Sequence, residues 1–276
     1  MAGWPAALPD LPLEEACHGR FPLRVRRAAL EHHIGSRVPR VTRFRHDGVP
    51  DEAIAPEPAA GKLRIMRPPT PAGFNDALER WNERFSQPGY LFGLAPNAFL
   101  VRQSARLRPG SRVLCVADGE GRNSTWLAAR GHEVTAFDLS PVAVDKARSL
   151  AAERGVAVDN HVAGTDTWEW APAEYDAVAA IFIQFASPAE RPSLFAGMWR
   201  TLKPGGLLLI QGYTPKQLEY GTGGPGRLDH LYTADMLREL LPQAQWLELT
   251  EHEAELTEGG GHRGRSALID AVARKT

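Results

Sequence analysis

From residue 112 onward short apolar runs alternate with helix-length segments, and that rhythm confines the chain to a parallel sheet covered by helices on both faces. Residues 112–117 form an apolar strand, 123–130 a helix stopped by Gly131, and 133–137 a second strand. The helix 141–154 follows, with Ser140 as N-cap, Pro141 at its first position and Gly155 beyond its end. Strands are expected at 156–163, 175–183 and 207–211, the last after a helix from Ser187-Pro188 to Leu202 and a Lys203-Pro-Gly-Gly206 turn. Thr233 caps a further helix to Leu241. Each strand–helix–strand step is a right-handed crossover, so the product is a doubly wound α/β domain. The last two strands, 245–256 and 265–274, have only residues 257–264 between them and are expected to pair antiparallel as a hairpin.

Upstream, 74–85 and 96–107 read as two helices separated by the breaker-rich segment from Gln87 to Gly93. Before residue 66 the composition changes. Eight arginines between Cys17 and His46 meet one acid, Glu31, and residues 50–60 are a Pro/Ala/Glu linker. Residues 1–65 are therefore expected to be a poorly ordered extension or a basic arm, with 66–276 as the folded domain and Met66 as an alternative start.

Several function classes drop out. The net charge is -1, so no global field draws the chain to nucleic acid or anionic lipid. No apolar run approaches the roughly 20 residues of a membrane span, and the first residues lack a secretory n-region and h-region, so a cytoplasmic protein is expected. Cys17 and Cys115 supply neither a disulfide framework nor a metal cluster, and the adjacent His32 and His33 point apart, so no metal is expected.

In open α/β sheets the ligand lies beyond the carboxyl ends of the strands, at the turn after the first one. Here that turn reads Asp118-Gly-Glu-Gly-Arg-Asn123. Gly119 and Gly121 allow close backbone approach, and the helix starting near Asn123 presents free amides. Twenty residues after Asp118, Asp138-Leu139 ends the second strand, where an acid accepts both hydroxyls of an adenosine ribose. Charge separates the cofactors that use this plan. A pyrophosphate is disfavoured by Asp118 and Glu120, and Ser124 stands where the dinucleotide fingerprint has its third glycine. S-adenosylmethionine brings a sulfonium and an ammonium, which the same carboxylates attract.

The runs VLCVADGEGRNSTWLAARGHEVTAFDLSP, LKPGGLLLIQ and GHRGRSA resemble the class I S-adenosylmethionine-dependent methyltransferases, in the branch similar to the tellurite-resistance methyltransferase. The resemblance covers about residues 74–275. It implies a seven-stranded sheet of order 3-2-1-4-5-7-6 and methyl transfer to a small acceptor, with a thiol or a soft oxyanion such as tellurite or selenite favoured. One departure stands out: where such proteins carry an Asp after the third strand for the adenine edge, this chain has Gly164. Adenine recognition is then expected from the backbone of Gly164 and Thr165 or from the Asp166 carboxylate.

Methyl transfer is an in-line displacement that needs the acceptor held close and water excluded. Candidates on the active edge are Gln184 after the fourth strand and Tyr213, which opens a long glycine-rich loop to Tyr232. His262 and Arg263, in the turn of the terminal hairpin, are candidates for moving a proton and clamping an oxyanion. Arg122 is a candidate for the cofactor carboxylate, and Trp81, Tyr90, Phe92 and Asn97 belong to an N-terminal cover whose aromatics either shield the sulfonium or pack as core. Two other readings remain open at this stage: a cofactor-binding regulatory protein without turnover, and an NAD-dependent oxidoreductase.

Overall fold

The computed structural model describes residues 74–276. The extension 1–65, its arginines, Cys17, His32, His33 and the alternative start at Met66 lie outside the described residues. The elements in chain order are α1 (Phe74–Phe85), α2 (Ala98–Ser104), β1 (Arg112–Val116), α3 (Arg122–Ala129), β2 (Glu133–Asp138), α4 (Pro141–Glu153), β3 (Asp159–Val162) and β4 (Tyr175–Ile181). They continue with α5 (Arg191–Thr201), β5 (Leu202–Tyr213), α6 (Gln217–Tyr220), a 3-10 turn at Leu228–His230, α7 (Ala234–Leu240), β6 (Gln245–Glu258) and β7 (His262–Arg274).

The seven strands form one sheet of order β3-β2-β1-β4-β5-β7-β6. Strands β1 to β5 pair parallel, and β7 runs antiparallel to both β5 and β6. Alternation along each central strand feeds two cores. Leu114 and Val116 join Phe137, Val178, Phe195, Met198 and Tyr232 on one face, while Val113 and Cys115 join Phe99, Leu100, Leu127 and Leu209 on the other. Fully burying each large side chain contributes about 1.5–3 kcal/mol, so this two-sided sheet, not local helix propensity, holds the domain together. Cys115 lies inside it, and burial pushes its thiol pKa up. No helix among the described residues is long and apolar enough to cross a membrane.

Caps behave as their chemistry requires: Ser140 accepts from the Ala143 N–H, Thr233 from Met236 and Asn97 from Leu100. The terminal hairpin differs from expectation. Its turn is only Gly259-Gly-Gly261, so His262 and Arg263 are the first residues of β7, paired with Glu258 and Thr257. A three-glycine turn suffices because a Cβ at Gly259 would lie 2.4 Å from the Gly93 nitrogen, and the Gly260 and Gly261 N–H groups both donate to the Leu91 carbonyl. The hairpin tip thus packs directly on the segment between α1 and α2. β5 also starts earlier than expected, at Leu202 directly after α5, and β3 is shorter.

Candidate functional site

The turn between β1 and α3 lies at the carboxyl edge of the sheet and is wound by three left-handed residues, Ala117 (φ 48°), Gly119 (φ 62°) and Gly121 (φ 86°). Gly121 has a packing reason as well as a conformational one: a Cβ there would approach that of Ala147 on α4 to 2.7 Å. Gly119 donates its N–H to Asp138 Oδ2 at 2.9 Å, and Ser140 donates its N–H to Oδ1 at 2.9 Å. Each Asp138 oxygen therefore keeps a lone pair for a further donor. Burial pushes Asp138 up to about 6, against the pull of those two N–H groups. Ser140 in turn donates to Asn82 Oδ1 at 2.6 Å, which ties α1 to the end of β2.

Asp118 stands beside this pair with one buried carboxylate oxygen, Oδ2, that has no hydrogen-bond partner among the described residues. Burial raises its pKa to about 7, and the Asp138 charge adds to the rise. A half-buried carboxylate with one buried, open oxygen is an acceptor waiting for a cation or a donor. Above it Phe85 covers Gly119, and Trp81 stacks on Phe85 with centroids 5.3 Å apart. Aromatic rings over Gly119, one open oxygen on Asp118 and a second carboxylate open to diol hydroxyls fit a cationic adenosine cofactor and disfavour a pyrophosphate.

The other expected cofactor residues divide. Glu120 is spent on the cover, accepting from the Leu91 N–H at 2.7 Å and pairing with Lys146 at 2.9 Å; Lys146 also donates to the carbonyls of Gln87 and Gly89. Asn123 Oδ1 accepts the Asn97 N–H. Leu139 is half-buried immediately after Asp138. In the turn after β3, both backbone groups of Gly164 are used, its N–H by Thr167 Oγ1 and its carbonyl by the N–H groups of Thr167 and Trp168. The Thr165 carbonyl accepts from Trp170 Nε1, and Asp166 is exposed. Of the expected adenine partners, the Asp166 carboxylate and the Thr165 N–H are the ones without a hydrogen-bond partner among the described residues.

A second cluster lies where β5, the hairpin and the cover meet. The His262 ring is buried between Phe92 (centroids 4.4 Å), Phe182 (4.2 Å) and the edge of Tyr213 (5.8 Å). Phe182 follows β4 with φ 56°, a left-handed conformation that costs an aromatic residue energy and turns its ring into this cluster. Tyr213 Oη is buried without a partner among the described residues. Burial, with the Glu258 charge, pushes that phenol's pKa up, so it stays a neutral donor. Gly223 and Gly224 of the long loop lie against the Tyr213 ring.

Beneath the rings is Glu258. It pairs with Arg122 Nη2 at 2.7 Å, accepts from Asn97 Nδ2 at 2.9 Å and faces His262 Nδ1 at 3.6 Å. Burial alone would raise its pKa, but His262 and Arg122 outweigh it and hold the carboxyl below its ordinary value. The same Asn97 amide donates to Gln211 Oε1 at 2.6 Å, and Gln211 donates to Asp270 at 2.7 Å. Asp270 is paired at the far end with Arg102 and His252. This chain fixes every amide orientation between two carboxylates.

Three expected roles change in this light. Arg122 is committed to Glu258 and to the carbonyls of Phe92 and Ala95, not turned to the cofactor loop. Gln184 Oε1 accepts the Tyr213 N–H and its Nε2 donates to the carbonyls of Tyr213 and His230, so it braces β5 and the loop. Arg263 is exposed, because alternation on β7 sends it away from His262. Sequence reasoning missed Glu258, Phe182, Phe85 and Lys146. Only Glu258 had a signal, the three glycines that place it opposite His262.

The methyltransferase-domain family matches residues 113–206, from β1 through β4 and α5 into β5. An uncharacterized protein of Mycobacterium tuberculosis is 32% identical over 124 residues, 45% of this chain and 44% of that protein. The tRNA 5-carboxymethoxyuridine methyltransferase of Escherichia coli is 31% identical over 126 residues, 44% of this chain and 47% of that protein. The chain thus spans under half the length of these curated relatives. The crystal structure of TehB from Haemophilus influenzae superposes with a TM-score of 0.53 at 19% identity, over 72% of this chain and 67% of that one. Residues 113–206 therefore match a methyltransferase-domain family, and the chain shares the doubly wound fold of TehB.

Proposed function

We propose that the chain transfers the methyl group of S-adenosylmethionine to a small-molecule acceptor. The observation that carries this reading is the pair of carboxylates at the carboxyl edge. Asp138 keeps a lone pair on each oxygen for the ribose diol, and Asp118 offers a buried, unpartnered oxygen to the cationic end of the cofactor. Gly119, Leu139, Thr165 and Asp166 complete the cofactor side. Phe85 and Trp81 exclude water above it.

The acceptor side is the cluster of Tyr213 and His262, where β5, the hairpin and the cover meet. Of the two acceptor chemistries suggested by the resemblance, a thiol is supported over a soft oxyanion. Arg263 faces away from the cluster on the exposed side of β7 and Arg122 already answers Glu258, so neither balances an anion beside His262. The balanced net charge of the chain supports a small molecule over tRNA, the substrate in the name of the Escherichia coli relative.

The test is S-adenosylhomocysteine release by the full chain given S-adenosylmethionine and a panel of small thiols, selenite and tellurite. Turnover of a thiol is the expected result. Tight cofactor binding without turnover of any small molecule, or transfer to RNA in its place, would overturn it.

A further inference from the structure

Building on the methyl-transfer reading, we infer that the acceptor is a small neutral molecule with an ionisable S–H or O–H, and that His262 takes its proton while Glu258 sets the imidazole's tautomer. The argument starts from what each polar atom of the cluster has left to give. Glu258 Oε2 lies 3.6 Å from Nδ1 of His262, beyond hydrogen-bond length but near enough for the carboxylate charge to favour a hydrogen on Nδ1, which leaves the lone pair on Nε2. Nε2 makes no hydrogen bond among the described residues. Its ring is walled by Phe92 and Phe182, with Tyr213 at its edge. Tyr213 Oη, buried and unpartnered, supplies one donor for the acceptor's heteroatom.

The charges point the same way. The groups facing His262 are Glu258 on β6, Arg122 on α3, Arg84 on α1 and Tyr213 on β5. Glu258 and Arg122 cancel each other at 2.7 Å, Tyr213 is neutral, and Arg84 lies over the Trp81 and Phe92 rings at 4.6 and 6.0 Å. Burial, with the charges of Arg122 and Arg84, lowers the His262 pKa against the pull of Glu258, so the imidazole is an unprotonated base at neutral pH. A site with one phenol donor, one free lone pair, aromatic walls and an internally balanced ion pair suits a neutral acceptor that must lose a proton.

The step balances without a further reagent. The acceptor's S–H or O–H proton passes to His262 Nε2, and the heteroatom's lone pair forms the bond to the methyl carbon. The carbon–sulfonium bond breaks with its electron pair returning to sulfur, which leaves S-adenosylhomocysteine. Glu258 steadies the imidazolium until water removes the proton. His262 is thus the catalytic residue and Glu258 a positioning residue.

The experiment uses the full chain with 15N-labelled histidine, saturated with S-adenosylhomocysteine at pH 7.5, with His262→Gln for assignment. The expected spectrum shows a neutral His262 with its hydrogen on Nδ1; a hydrogen on Nε2, or an imidazolium, would overturn the inference. In Glu258→Gln the tautomer preference should be lost. If that variant fails to fold, the wild-type tautomer still decides.

The companion assay offers benzyl mercaptan, 4-methylphenol, benzoate and selenite, the first two of which are neutral at pH 7.5. Turnover is expected for the first two, with an acid limb set by His262. His262→Gln should lower kcat by about 10²- to 10⁴-fold with little change in KM, and Tyr213→Phe should mainly raise KM. Turnover confined to benzoate and selenite and lost in Arg84→Met, or a full rate in His262→Gln, would refute it. Calorimetry separates the two readings: a wild-type chain that fails to bind S-adenosylhomocysteine refutes the methyl-transfer reading itself.

Discussion

Replacing Asp118 with asparagine should stabilise the cofactor-free protein and damage the cofactor site at once. Burial lifts the Asp118 pKa from 3.8 to about 7. A group raised in the folded state favours folding while protonated, so its contribution is fully present below the unfolded pKa near 3.8. It is lost as pH rises through about 7. A shift of about three units corresponds to at most ~4 kcal/mol at alkaline pH. The side chain is half-buried, so solvent screening brings the realised value nearer ~2 kcal/mol. Asparagine keeps the shape and cannot ionise. Urea unfolding at pH 4, 5.5, 7 and 8.5 should show the variant gaining on the wild type across that range, with the gap levelling off above pH 7. The same substitution removes the charge that meets the cofactor's cationic end, so S-adenosylmethionine binding should weaken at least tenfold, and the wild-type affinity should rise with pH up to about 7. An Asp118→Asn protein less stable than wild type at pH 8.5, or one that binds S-adenosylmethionine unchanged, would refute the reasoning.

Gly121→Ala forces a Cβ against Ala147 at 2.7 Å in a left-handed conformation, and thermal or urea unfolding should register a loss of about 2–4 kcal/mol. An unchanged midpoint would mean that α3 and α4 are packed less closely than described. Glu258→Gln strands the buried Arg122 guanidinium and should cost about 3–5 kcal/mol, whereas the double change Arg122→Met with Glu258→Gln should recover much of that loss. Urea midpoints for the single and double variants check this, and equal losses in both would show that the pair is not coupled.

The alternation of strands and helices was legible because its signal is redundant: apolar runs, Ser140 and Thr233 caps and glycine stops agree at each crossover, whereas the strand order followed from the family resemblance. The position of Asp138 at the end of β2, against the glycine turn, was legible for a similar reason, since a strand-terminal acid has a fixed place relative to that turn. The acceptor side was not. It depends on which partner each side chain meets across long sequence separations. Arg122 finds Glu258, 136 residues away, and Asn97 finds Gln211, 114 residues away. No local pattern encodes those meetings. The hairpin turn was read too long because Thr257 and Gly264 are tolerated in either a turn or a strand, and that error hid the register placing Glu258 opposite His262. Gln184 is at its expected strand end, but its amide is used by the backbone of Tyr213 and His230.

The most direct test of the central claim is isothermal titration of the full chain with S-adenosylmethionine, S-adenosylhomocysteine and NAD, repeated with Asp138→Ala. The account predicts saturable 1:1 binding of the first two and none of the third. The variant should lose about 2–3 kcal/mol as the two ribose hydrogen bonds disappear. Binding of NAD in preference to S-adenosylmethionine, or equal affinity in Asp138→Ala, would contradict it.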